Sequence, residues 1–212
     1  MLSSLYNFFI LRFLFISFIG LNFIPTKVYC NQKIVLFGDS LMSGYGLDKE
    51  VHLSAVLERN LRAKGYDVNV INASVSGDTT SGGLNRLNWL LKERNIDILV
   101  LCLGANDMLR GINPNLVKKN LNKILEILNK KRIIVLFAGM KSQGTYGSEY
   151  KRNFDKIYPD LAIKFNVAFL PFLLDGVALK PELNLKDGKH PNPKGVKLIS
   201  QNLETKLIDL LD

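Results

Sequence analysis

The feature that most limits what this chain can fold into is an alternation. Apolar runs at 33–37, 68–72, 98–103, 133–138 and 167–170 are separated by stretches with helical spacing. Several runs are unbroken Val, Ile and Leu, as in strands buried on both faces. Helices are predicted over 51–64, 81–94, 114–130, 148–165 and 193–211. In the third of these, Val117, Leu121, Ile124, Leu125 and Leu128 share one face. In the last, Val196, Ile199, Leu203, Leu207 and Leu210 recur at spacings of three and four, and Pro193 suits the first turn. Such alternation predicts an α/β fold, a parallel sheet with helices on both sides. Sites in these sheets form beyond the carboxyl ends of the strands. The residues that follow each run are therefore where chemistry belongs.

The first thirty residues stand apart. They hold no acid, are dense in Phe, Ile and Leu, and carry Arg12 before their most apolar part. They read as a secretory signal peptide over 1–30, ending before Asn31 with Val28 and Cys30 flanking the cleavage point, and leaving one domain over 31–212. The longest uncharged run, 13–26, is short for a membrane span; an uncleaved anchor is the alternative. Tyr29 is too bulky for the residue before a lipidated Cys. Export places the protein in the periplasm of a bacterial envelope or outside the cell. Without the leader Cys102 is the one cysteine left, so no internal disulfide forms. Within its apolar run it reads as a buried residue. Setting aside Arg12 and Lys27 lowers the net charge from +9 to +7. The lysines are scattered through helical patterns rather than gathered with aromatics. That argues against nucleic acid and allows at most peripheral membrane contact.

After the first run comes "GDSLMSGYG" (38–46). It lacks the Lys of a phosphate-binding GxxxxGK[ST] loop, and it is not GxGxxG. Nor is it the G-x-S-x-G elbow, because Met42 stands at the second Gly. Ser40 is a candidate nucleophile on a turn of another kind; the alternative is a helix cap. After the second run, in "NASVSGDTT", Gly77 permits an unusual backbone angle and close approach of its N–H to a ligand. The alternative is a loop with Asp78 or Thr79 capping the next helix. After the third run, in "LGANDMLRG", Asn106 offers an amide donor suited to an oxyanion, against ordinary turn chemistry.

Near the carboxyl terminus, "LKDGKHPNPKG" sets Asp187 three residues before His190. A carboxylate so placed can fix the imidazole tautomer, and Pro191 keeps His190 out of a helix. The other histidine, His52, has no acidic partner in a matching motif and reads as a surface residue. Each signal alone is weak. Together they supply a nucleophile, oxyanion donors and a base with its orienting acid. No His/Cys cluster offers a metal site.

These blocks resemble those of the SGNH hydrolase superfamily, the GDSL esterases and lipases. "GDSL" at 38–41 corresponds to the first block, Gly77 to the second, Asn106 to the third, and "DGKHPN" to the last. "VINASVSGDTTSGGLNRL" and "IYPDLAIKFNVAFLPFLLDGVALKPELN" look like the branch containing bacterial acyl-CoA thioesterase I, also called lysophospholipase L1, and the arylesterases. The resemblance covers nearly all of 33–212. It implies a flavodoxin-like three-layer α/β/α sandwich with a five-stranded parallel sheet, and an exported serine esterase that needs no cofactor.

The mechanism to expect is attack by Ser40 with His190 as base and Asp187 behind it. The N–H groups of Ser40 and Gly77 and the side chain of Asn106 hold the oxyanion. The substrate is a small acyl ester or thioester, lysophospholipids among them, and the default assembly is a monomer. Met108, Leu109 and Ile112 are candidates to contact the acyl chain, with plain loop packing as the alternative. Asp107 and Arg110 read as an exposed pair steadying that loop. The competing readings are a carbohydrate O-deacetylase of the same superfamily with a closed pocket, a phosphate- or nucleotide-binding module, and a non-catalytic family member.

Overall fold

The computed structural model describes residues 31–93 and 95–212. The leader read over 1–30 lies outside the described residues. Strands β1 (Gln32–Gly38), β2 (Val68–Asn72), β3 (Ile98–Cys102), β4 (Ile134–Ala138) and β5 (Ala168–Leu170) form one sheet. Every neighbouring pair is parallel, in the order β2-β1-β3-β4-β5. The apolar runs explain the centre. β3 is buried at every residue, and β1 is buried from Ile34 to Gly38.

The helices are α1 (Ser40–Ser43), α2 (Leu53–Ala63), α3 (Thr80–Glu93), α4 (Ala105–Leu109), α5 (Pro114–Lys130), α6 (Gly147–Asp155), α7 (Ile157–Phe165) and α8 (Pro193–Leu211). α2 packs on α8 as one layer, and α5 packs on α3, α6 and α7 as the other. α5 and α8 begin where Asn113 and Asn192 turn their side-chain oxygens onto the first free N–H groups, each followed by a Pro at the first helical position. The α/β fold with a five-stranded parallel sheet expected from the sequence is the one observed.

One predicted helix is two. The segment read as 148–165 breaks at Lys156, between α6 and α7. Pro159 has no N–H to offer the carbonyl four residues back, so the helical ladder cannot run through unbroken. Two one-turn helices, α1 and α4, are too short to leave a period in the sequence.

The chain leaves β1 in one direction, to β2, and then crosses back to β3 on the other side. That reversal opens a crevice at the carboxyl ends of β1 and β3. The sheet's outer strand at this side, β2, is closed off by α2. Glu58 Oε2 accepts from Val70 N at 2.8 Å, and Arg62 Nε donates to Val68 O at 2.8 Å.

Candidate active site

Ser40 opens α1 immediately beyond β1. Asp39 caps this turn, its Oδ1 accepting from Leu41 N at 3.0 Å. Its other oxygen, Oδ2, has no hydrogen-bond partner among the described residues, and the side chain is buried. Burial pushes the Asp39 carboxyl up to about 6, against the Leu41 bond that favours its charge. As first residue of α1, Ser40 has a main-chain N–H with no partner within the helix.

His190 arrives from the loop before α8. Its Nε2 lies 2.9 Å from Ser40 Oγ, and its Nδ1 lies 2.6 Å from Asp187 Oδ2. The other Asp187 oxygen accepts from the main-chain N–H groups of Lys189 at 2.9 Å and His190 at 3.0 Å. The His190 N–H, then the His190 ring, then the Lys189 N–H hold the Asp187 carboxyl well below the usual carboxylate range. An ionised carboxylate can only accept, so Nδ1 carries the ring proton and Nε2 presents its lone pair to Ser40. The structure thus brings Ser40, His190 and Asp187 into one hydrogen-bonded chain.

Gly77 stands in the loop between β2 and α3 with φ +80°. Its N–H donates to no described residue. Asn106 lies on α4, just past β3. One hydrogen of its amide goes to Asp78 O at 2.9 Å, which orients the group and leaves the second hydrogen available. α4 can start so abruptly because Gly104 takes φ +118°, with the hydroxyl of Tyr158 packed where a β-carbon would stand.

The Gly77 loop is tied to its surroundings by side chains the sequence did not single out. Arg86 on α3 donates to Asp78 Oδ2 at 2.7 Å, Ala73 O at 2.6 Å and Gly38 O at 3.1 Å. Asp107 corrects an expectation. It is not an exposed partner of Arg110 but is fully buried, accepting from Thr80 N at 2.8 Å and Thr80 Oγ1 at 2.6 Å. Arg110 instead donates to Gly77 O at 3.1 Å. α4 faces Thr80 at the start of α3, so Asp107 turns inward where neutral donors satisfy it.

His52 is also placed differently from expectation. It is half-buried against Gly44, with Nε2 3.1 Å from Leu47 O, and it pins the turn after α1. Cys102 is buried as read, and burial pushes its thiol up.

Beside Ser40, Asn106 and His190 lies a cavity of about 370 Å³ with mainly apolar walls. Met108 and Leu109 line it. Ile112 does not: it packs against the core, its carbonyl held by Tyr150 Oη at 3.0 Å. The far wall comes from Met140, Phe172, Leu174 and Ala178, which follow β4 and β5. The strand-end rule already applied to the first three strands was the signal for them.

A Ser–His–Asp chain at the switch point of a doubly wound parallel sheet defines an α/β serine hydrolase. The chain belongs to the GDSL-like Lipase/Acylhydrolase family, which it matches over residues 36–198. It is similar to the Arylesterase of Vibrio mimicus, with 37% identity over 178 residues, 84% of this chain and 89% of the relative. It is similar to Thioesterase 1/protease 1/lysophospholipase L1 of Escherichia coli K12, with 32% identity over 197 residues, 93% of each chain. Among solved structures it resembles AlinE4, an SGNH-hydrolase family esterase, with a TM-score of 0.73 and 40% identity across 86% of this chain and 98% of that one.

Proposed function

We propose that the chain hydrolyses esters and thioesters of single acyl chains through an acyl-enzyme on Ser40. The observation that carries this reading is the 2.9 Å and 2.6 Å relay from Ser40 through His190 to Asp187, set at the mouth of an apolar cavity. Ser40 Oγ attacks the acyl carbonyl while its proton passes to His190 Nε2. The ionised Asp187 keeps Nδ1 protonated and stabilises the imidazolium. Negative charge then develops on the former carbonyl oxygen. The N–H groups of Ser40 and Gly77 and the free amide hydrogen of Asn106 receive it, as fixed dipoles that need no reorganisation. The tetrahedral adduct collapses, and His190 gives its proton to the departing alkoxide or thiolate. Water, deprotonated by the same imidazole, attacks the acyl-enzyme and releases the carboxylic acid.

The cavity also supports the longer-chain reading over the deacetylase. A deacetylase pocket is closed just beyond the acetyl methyl. Here Met108, Met140, Phe172, Leu174 and Ala178 enclose room for a longer chain. Arylesters, acyl thioesters and lysophospholipids all present such a chain.

The experiment is hydrolysis of p-nitrophenyl esters from acetate to palmitate by the purified protein, with Ser40→Ala beside it. Activity on medium chains, lost in Ser40→Ala, is the expected result. Activity on acetate alone would favour the deacetylase. No Ser40-dependent hydrolysis by a folded protein would overturn the reading.

A further inference from the structure

Arg86 lies midway along α3, and all three of its guanidinium nitrogens are engaged. The acceptors belong to separate pieces of the site. Gly38 is the last residue of β1, two before Ser40. Ala73 and Asp78 stand near the two ends of the loop that carries Gly77. Asp78 in turn gives its main-chain oxygen to the amide of Asn106. The guanidinium lies over Phe37, 3.9 Å from the ring centroid, and only 23% of the side chain is exposed.

We propose that Arg86 is a positioning residue for ester hydrolysis, holding the nucleophile strand and both separate oxyanion donors in one register. The inference rests on the Ser40 esterase reading. The Gly77 loop needs such a clasp. Its first half is tied to β1 by Ala73 N to Leu36 O at 2.9 Å and Val75 N to Gly38 O at 3.0 Å. From Val75 to Gly77 the loop is exposed. Arg86 grips it on both sides of that stretch. A lysine does not reproduce this reach, because its three donors radiate from a single nitrogen, whereas the three Arg86 bonds leave three separate nitrogens of a planar fork. Oxyanion donors act only when aimed in advance, and small displacements are expensive in rate.

The geometry separates this role from general support. Arg86 lines no part of the acyl cavity. Its loss therefore acts on the transition state and spares the binding of the chain. Arg86→Lys, Arg86→Gln and Arg86→Ala are compared with the parent on p-nitrophenyl octanoate, with folded sites counted by phosphonate titration and Ser40→Ala as blank. In Arg86→Lys and Arg86→Gln we expect kcat to fall ~10–100-fold with KM within about 3-fold of the parent. Affinity for an alkyl boronic acid, which forms a tetrahedral adduct on Ser40, falls in step with kcat. Affinity for octanoate is unchanged. Millimolar guanidinium restores part of the activity of Arg86→Ala; where that variant does not fold, Arg86→Lys decides. Arg86→Lys with kcat within about 2-fold of the parent overturns the role. Equal losses of boronate and octanoate affinity also overturn it, since they mark collapse of the whole site. Hydrolysis that survives Ser40→Ala overturns the esterase reading instead, and it is seen with Arg86 intact.

Discussion

The ring of Tyr45 lies against the imidazole of His190, with centroids 4.4 Å apart and planes tilted by 35°. Half of Tyr45 is exposed. An aromatic face attracts a cation, and His190 gains its second proton as Ser40 attacks. The ring therefore favours the transition state over the resting enzyme. Tyr45→Phe keeps the face and is expected to keep kcat. Tyr45→Leu is expected to lose ~2–5-fold, the worth of an exposed cation–π contact. Steady-state kcat on a single p-nitrophenyl ester checks this, and a Leu variant as fast as the parent would remove the ring from the mechanism.

Asp39 makes stability depend on pH in the less usual direction for a carboxylate. Its pKa is raised from 3.8 to about 6 by burial, so the folded chain holds this proton more tightly than the unfolded chain. Its contribution to stability falls as pH rises through that window and is at its worst above about 6. Below both values the group is neutral in either state and the penalty vanishes. Asp39→Asn removes the titration and keeps an oxygen for the Leu41 cap. Between pH 3.5 and pH 8 the stability of the variant relative to the parent should improve by about 3 kcal/mol. Denaturant melts at the two pH values test it; a constant difference would show that Asp39 titrates alike in both states.

Asp107 is expected to matter for stability more than its position beside Asn106 suggests. Asp107→Ala strands the main-chain N–H and hydroxyl of Thr80 in a buried site, at roughly 1–3 kcal/mol for each unsatisfied group. A lower urea midpoint with an unchanged slope is the expected outcome. An unchanged midpoint would mean that water replaces the carboxylate at no cost.

The cavity wall offers a test of chain-length choice. Ala178→Phe places a ring where a methyl group now stands. Acetate should remain a substrate while long esters are lost, at about 1–3 kcal/mol of transition-state binding for each methylene excluded. A chain-length profile of kcat/KM reads this out. An unaltered profile would put the acyl chain elsewhere.

The legible parts of this molecule are those written locally. α5 and α8 start at Pro114 and Pro193, as the sequence indicated. Asn–Pro followed by helical spacing leaves little choice there. Ser40, Asp187 and His190 could be read because each sits next to its own turn signal. Asp107 could not. In the sequence it reads as an exposed partner of Arg110, and only the packing of α4 against Thr80 decides otherwise. Arg86 looked like any basic residue on a helix, since its acceptor at Gly38 is 48 positions away. The cavity was half visible for the same reason: Met108 and Leu109 follow the Asn106 motif, whereas Leu174 and Ala178 come from beyond β5 without a motif of their own.

The side chains that α2 lays along β2 have a consequence for how this protein would fail. A sheet recruits further strands through unpaired main-chain groups at its margins. At β2 the outward N–H of Val70 and C=O of Val68 are already taken by Glu58 and Arg62. At the opposite margin β5 offers three residues. Cross-β growth from the native state therefore has little to template on. The route to fibres runs through detachment of α2, so conditions that loosen this helix set the onset of aggregation before the sheet itself is lost.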